Sequence, residues 1–144
     1  MRLVLDTNTV VSGLLWKSSP HQLLAIAGER RDISLHTSPK LLAELADVLS
    51  RDKLAAAIAA TGMLPEALMR KFLSVVQIVT PATVPPVILA DPDDDHVLAC
   101  ALAAGADLVV SGDRHLLQLQ SHRGISIVNA TEALRYIERS KGSR

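Results

Sequence analysis

Short apolar runs alternate along this chain with stretches of helical periodicity. Arg2-Leu3-Val4-Leu5 is an apolar run ending at Asp6. A run of this kind predicts a parallel strand buried on both faces. Residues 7–15 read as a turn followed by a short helix. Residues 20–27 predict a second helix, with Pro20 near its first turn and Gly28 as its stop. Ile33-Ser34-Leu35 predicts a second strand. Ser38 and Pro39 supply the N-cap and first position of the next helix. Along it, Leu41, Leu42, Leu45, Val48 and Leu49 recur at helical spacing. Residues 53–60 and 65–76 predict two more helices separated by Thr61-Gly62, and residues 77–80 a strand.

The second half continues the alternation. Residues 81–86 carry three prolines and read as a connector. Val87-Ile88-Leu89 is apolar and leads into Asp91-Pro92-Asp93-Asp94-Asp95. Residues 97–104 predict an Ala/Leu-rich helix stopped by Gly105. Residues 107–111 predict a strand, 115–119 a short helix, and Ile125-Ser126-Ile127-Val128 a last strand. Residues 131–140 predict a C-terminal helix capped by Thr131, with Glu132 in its first turn. Strand and helix in this order predict an α/β fold of three layers, with a mostly parallel central sheet covered by helices on both faces.

Composition narrows the class. At 144 residues the chain is expected to form a single domain over 1–144. Hydrophobic residues make up 49% and charged residues 21%, a globular and not a disordered mix. Fifteen basic residues balance fifteen acidic ones, which excludes a bulk polycation that binds nucleic acid by charge alone. Three aromatic residues, Trp16, Phe72 and Tyr136, are too few for a surface that stacks several bases. The single cysteine, Cys100, rules out an intrachain disulfide and a multi-cysteine zinc site, and is expected to be a buried apolar residue. The opening strand-like run does not read as a signal peptide, and no apolar stretch is long enough to span a membrane. A soluble, cytoplasmic domain is the expectation.

The acids fall where a site would form. In open parallel sheets, ligands bind beyond the carboxyl ends of the strands. Asp6 follows the first predicted strand and Asp113 follows the 107–111 strand. Asp95 opens the helix before that strand, and Glu44 lies one turn into the helix after the second strand, at the margin of its apolar stripe. Asp47, nearly opposite that stripe, reads as solvated. Asp6 and Asp113 would each also serve as ordinary helix caps, and Asp95 as a first-turn acid. The joint pattern asks for more. Asp91, Asp93, Asp94 and Asp95 place four carboxylates within five residues, and one cap needs only one of them. The rest repel each other unless a cation is near. Hard divalent cations bind such oxygen clusters. Asn8, Ser12 and Ser111 are equally compatible with turn hydrogen bonds and with holding a ligating carboxylate or a substrate phosphate. Gly112 reads as a turn residue. His96 and His115 adjoin acids but read as surface groups, and Trp16 and Phe72 as core or dimer contacts. Lys40 and Arg114 lie near these acids in sequence and read more readily as solvated charges than as a basic rim.

On these residues the chain resembles the PIN-domain ribonucleases, most of all the VapC-like branch of toxin–antitoxin systems. The opening pattern is carried by Leu3-Val4-Leu5-Asp6-Thr7-Asn8 and Ser12, the helix-borne acid by Glu44. The third acid matches Asp95 before Val97-Leu98-Ala99, with Asp94 as the alternative in the adjacent register. The fourth matches Val109-Val110-Ser111-Gly112-Asp113, eighteen positions after Asp95. The resemblance covers nearly the whole chain. It implies a PIN fold and an endonuclease acting on single-stranded RNA. Asp6, Glu44, Asp95 and Asp113 would hold one or two Mg²⁺ or Mn²⁺ ions, with Asn8, Ser12 and Ser111 supporting them or the substrate. It also implies a homodimer, and an antitoxin whose tail blocks the acidic pocket.

Other classes place an acid after a first strand. A haloacid-dehalogenase-type phosphatase or phosphotransferase needs a second Asp two positions on, where this chain has Asn8. A receiver-like domain needs a Lys after a late strand, which Ser111-Gly112-Asp113 does not supply. A non-catalytic PIN-like module binding RNA or protein would not need the acids intact.

Overall fold

The structure is a computed structural model and describes residues 1–81 and 92–142. The strands β1 (Arg2–Leu5), β2 (Ser34–Thr37), β3 (Val76–Ile78), β4 (Leu108–Val110), β5 (Ser121–His122) and β6 (Ile125–Val128) form one sheet. Its order is β3-β2-β1-β4-β6-β5, parallel throughout except for the β5–β6 pair. The helices are α1 (Thr7–Leu15), α2 (Ser19–Glu29), α3 (Pro39–Leu49), α4 (Ala55–Ala60), α5 (Pro65–Leu73), α6 (Pro92–Ala104), α7 (Arg114–Leu119) and α8 (Ala130–Gly142). A 3₁₀ turn, Asp52–Leu54, leads into α4.

The apolar opening run makes a strand buried on both faces because the sheet has a core on each side. Leu3, Leu5, Leu35, Leu108 and Val110 pack with α1, α2, α3, α5 and α8. Val4, Val109, Ile125 and Ile127 face the other way and pack with α6 and α7. This is the expected three-layer α/β/α arrangement with a mostly parallel centre. The stripe read on α3 is real: Leu41, Leu45, Val48 and Leu49 are buried, and Asp47 is exposed with an ion pair to Arg51 at 3.1 Å. Cys100 is buried on α6, and burial pushes its thiol pKa up to about 12.

Several boundaries differ from the expectations. Helix α2 runs through Gly28 to Glu29, because the backbone there stays helical and Arg30 closes the last turn onto Ile26. Val76 belongs to β3, not to α5. Helix α8 is capped by Asn129 and not by Thr131. The Asn129 side-chain oxygen accepts from the Glu132 backbone N–H at 2.8 Å, and the Asn129 N–H donates to the Glu132 carboxylate at 3.3 Å. That is a reciprocal capping box. Trp16 is 49% exposed and so is no core residue, whereas Phe72 is buried. Beyond Pro81, the expected connector lies outside the described residues, as do Val87-Ile88-Leu89, Asp91 and the side chain of Asp93. Among the described residues no helix is long and apolar enough to cross a membrane.

Candidate active site

The sheet order places a topological switch between its two central strands. From β1 the chain moves outward through β2 to β3, then returns to the other side of β1 as β4 and continues to β6. Crevices for ligands open at such a point, beyond the carboxyl ends of the strands. Asp6 leaves β1 there, and Ser111-Gly112-Asp113 leaves β4. The two exits are stitched to the sheet: Asp6 N–H donates to Val110 C=O at 3.1 Å and Ser111 N–H to Val128 C=O at 2.9 Å.

Both acids cap helices, and the caps fix their orientation. One Asp6 carboxylate oxygen accepts from Thr9 N–H at 2.8 Å at the start of α1. Asp113 Oδ1 accepts from His115 N–H at 2.7 Å at the start of α7. Ser111 couples the pair. Its hydroxyl donates to the second Asp6 oxygen and accepts from Asp113 N–H at 2.9 Å.

Asp6 is only 6% exposed. Burial pushes its carboxyl pKa above the ordinary carboxylate value. Hydrogen bonds from Ser111 and Thr9 oppose that rise, and the charge of Asp113 adds to it. Asp94 and Asp95 are likewise buried at the start of α6. The two differ in what they reach. Asp94, Asp113 and His115 each present one ligand atom, all within 4.8 Å of one another. Asp6 and Asp95 are not part of that group, nor is Glu44, which is half-buried on α3. His115 is exposed, as its reading as a surface group expects, and it also holds its ring nitrogen Nδ1 at 3.4 Å from Asp113 Oδ1. The signal for it was its place two residues beyond Asp113, at the position whose N–H the acid caps.

This donor set fits a divalent cation. Asp94 and Asp113 offer hard carboxylate oxygens of the kind that bind Mg²⁺ or Mn²⁺, and the His115 imidazole beside them is a donor better matched to softer divalent ions. The buried charge of Asp6 next to Asp113 is the electrostatic counterpart, since an added cation offsets both desolvation and mutual repulsion. A cavity of about 430 Å³ opens beside the group, lined by Asn8 and Ser12 of α1, by Ser111 and Asp113, and by Asn129. All three residues read as supporting the site thus meet around one space. Lys40 and Arg114 are both exposed, as solvated charges are.

A family model for the PIN domain matches residues 2–115. No curated protein matches the chain. Among solved structures, a chain of VapBC2 from Rickettsia felis, bound to a DNA fragment from their promoter, is similar with a TM-score of 0.62 at 16% identity. The match covers 90% of this chain and 98% of that one. The parallel sheet, the acids at its switch point and a family match over most of the chain agree: the chain belongs to the PIN domain family.

Proposed function

We propose that this chain is a divalent-metal-dependent endoribonuclease that cuts single-stranded RNA, and that it is the toxin of a toxin–antitoxin pair. The observation that carries the nuclease reading is the convergence of Asp94, Asp113 and His115 beside Asp6, with Ser111 bridging Asp6 to Asp113. Asp94, and not Asp95, takes the third acidic position in this reading. Asp95 remains a buried acid one residue away, and Glu44 is assigned to orient the attacking water or to hold a second ion. The toxin reading draws support from the fold shared with VapBC2, and brings with it an antitoxin partner, a homodimer and a cytoplasmic setting.

The chain's own residues divide the work. Asp94 and Asp113 would hold Mg²⁺ or Mn²⁺ with His115 at their side, Asp6 would add its charge through the Ser111 bridge, and the ion would supply neutralisation of the charge that builds on the phosphate. Ser111 and the two helix caps keep the carboxylates from rotating away, so that the site is organised before substrate arrives. His115 restrains Asp113 from the solvent side. Asn8 and Ser12 present neutral polar groups to the substrate, where a further carboxylate would repel it.

Purified protein incubated with a single-stranded RNA and Mg²⁺ or Mn²⁺ tests the reading. Cleavage is expected, and its loss both in a chelator and in a folded Asp6→Asn variant. Equal cleavage by Asp6→Asn would overturn the assigned site. Release of orthophosphate from small phosphomonoesters without RNA cleavage would replace the nuclease with a phosphatase.

A further inference from the structure

We propose that the cavity between α1, the β4–α7 loop and the β6–α8 junction is a nucleoside subsite. It would seat one nucleoside of a single-stranded RNA beside the carboxylates, with Gly112 kept bare to admit it and Asn129 reading it through its amide. The proposal rests on the nuclease reading above.

Size and chemistry come first. The cavity holds about 430 Å³, within the range of roughly 300–1,000 Å³ typical of small-ligand sites. Its walls offer neutral donors and acceptors from Asn8, Ser12 and Asn129, and Asp113 of the acidic group stands at its edge. Ribose hydroxyls and the polar edge of an unstacked base are what such walls match, and single-stranded RNA is read through splayed bases. A second cavity of about 440 Å³ lies between α2 and α5, where Leu14, Leu24, Phe72 and Val75 share the walls with the charged Glu29 and Lys71. None of the acids Asp6, Asp94 and Asp113 lines it.

Gly112 gives the second argument. Its backbone is not left-handed, unlike Gly62, Gly105 and Gly124. A Cβ built on it would meet nothing within 4 Å. Neither conformation nor packing therefore demands glycine there. Gly112 lines the cavity, and a bare backbone there lets another molecule approach closely.

Asn129 gives the third. Its side-chain oxygen and backbone N–H are both engaged in the capping box with Glu132. The box engages the oxygen and leaves the amide nitrogen of this cavity-lining residue without a partner among the described residues, so its two hydrogens are available to the carbonyl and ring-nitrogen acceptors of a base edge.

The test uses the full chain and two variants. Gly112→Leu fills the cavity mouth. Asn129→Ser keeps a good N-cap but removes the amide donor. Binding of a labelled single-stranded RNA oligonucleotide is followed by anisotropy in Ca²⁺ buffer, base preference beside the cut by sequencing products in Mg²⁺, and metal loading by the rise in Tm on adding Mn²⁺. Gly112→Leu is expected to weaken RNA binding by about tenfold or more with the Mn²⁺-induced rise unchanged. Asn129→Ser is expected to change which base flanks the cut. Should Gly112→Leu fail to fold, Gly112→Ala and Asn129→Ser carry the same readouts. Wild-type affinity and wild-type base preference in the folded variants would overturn the subsite while leaving the nuclease reading intact. A wild-type protein that neither binds nor cuts RNA would overturn both.

Discussion

Asp6 serves the fold and the site with different oxygens, and the two uses conflict. The oxygen that caps Thr9 N–H stabilises α1, while the buried negative charge it carries opposes folding. The sign follows from linkage. Because the folded-state pKa is raised above 3.8, the native state holds the proton more tightly than the unfolded chain. Its stabilising contribution is therefore complete below that ordinary value and is lost as pH rises through the folded value. At neutral pH without a cation, Asp6 destabilises the protein. Asp6→Asn keeps a capping oxygen and removes the charge, so in chelator at pH 7 the variant is expected to melt above the wild type. Added Mn²⁺ should raise the wild-type Tm more than the variant's, and cleavage should fall on the order of 100-fold or more in the variant. A variant that melts below the wild type in chelator would show that the Asp6 charge is not a burden on the fold. Ser111→Ala tests the bridge separately: it leaves all the acids in place and should cost about 10–100-fold in cleavage or metal affinity.

At the scale of elements, the site depends on how closely α1 approaches α2, since both line the cavity. Gly13 sets that approach: a Cβ there would lie 2.8 Å from the Leu24 side chain and 3.0 Å from the Pro20 carbonyl. Gly13→Ala gains about 1 kcal/mol of helix propensity but forces an overpacked contact worth about 1–3 kcal/mol. Backbone at Pro20 cannot yield as a side-chain end can, so the second term wins. A denaturant melt should show net destabilisation with an unchanged m-value. The same scale explains what the sequence made readable. Runs such as residues 2–5 and 107–111 and the stripe on α3 were plain because burial on one or both faces imposes periodicity over several residues. Strand β5 was missed because it is only two residues long. Its turn, Arg123-Gly124, takes positive φ at both residues without the Asn-Gly pair that marks such hairpins. Asp94 and Asp95 were separable only by structure: adjacent helix positions differ by a rotation of about 100°, and spacing to Asp113 cannot fix that register.

For the whole molecule, the balanced net charge conceals a separation. Acids gather beyond the carboxyl ends of β1 and β4, while a second ionisable group is buried within the sheet. His36 on β2 is 6% exposed. Its Nε2 is 2.9 Å from the Ser34 hydroxyl, and its Nδ1 has no hydrogen-bond partner among the described residues. Burial lowers its pKa below 6.5, and the positive charge of Arg2 adds to the effect. The unfolded chain therefore binds a proton more readily than the native one. His36 contributes stability that is complete above its ordinary pKa and is lost as pH falls from there through the folded value. That slope opposes the one from Asp6, whose stabilising contribution is lost as pH rises, so chelator melts of the wild type alone would mix the two. His36→Gln keeps a polar group on β2 without a charge in this range. The difference between the two proteins' melting curves between about pH 5 and pH 7 isolates the histidine. The wild-type Tm is expected to fall toward pH 5 more steeply than the variant's, whereas parallel curves would place acid sensitivity elsewhere and leave His36 as a neutral packing residue.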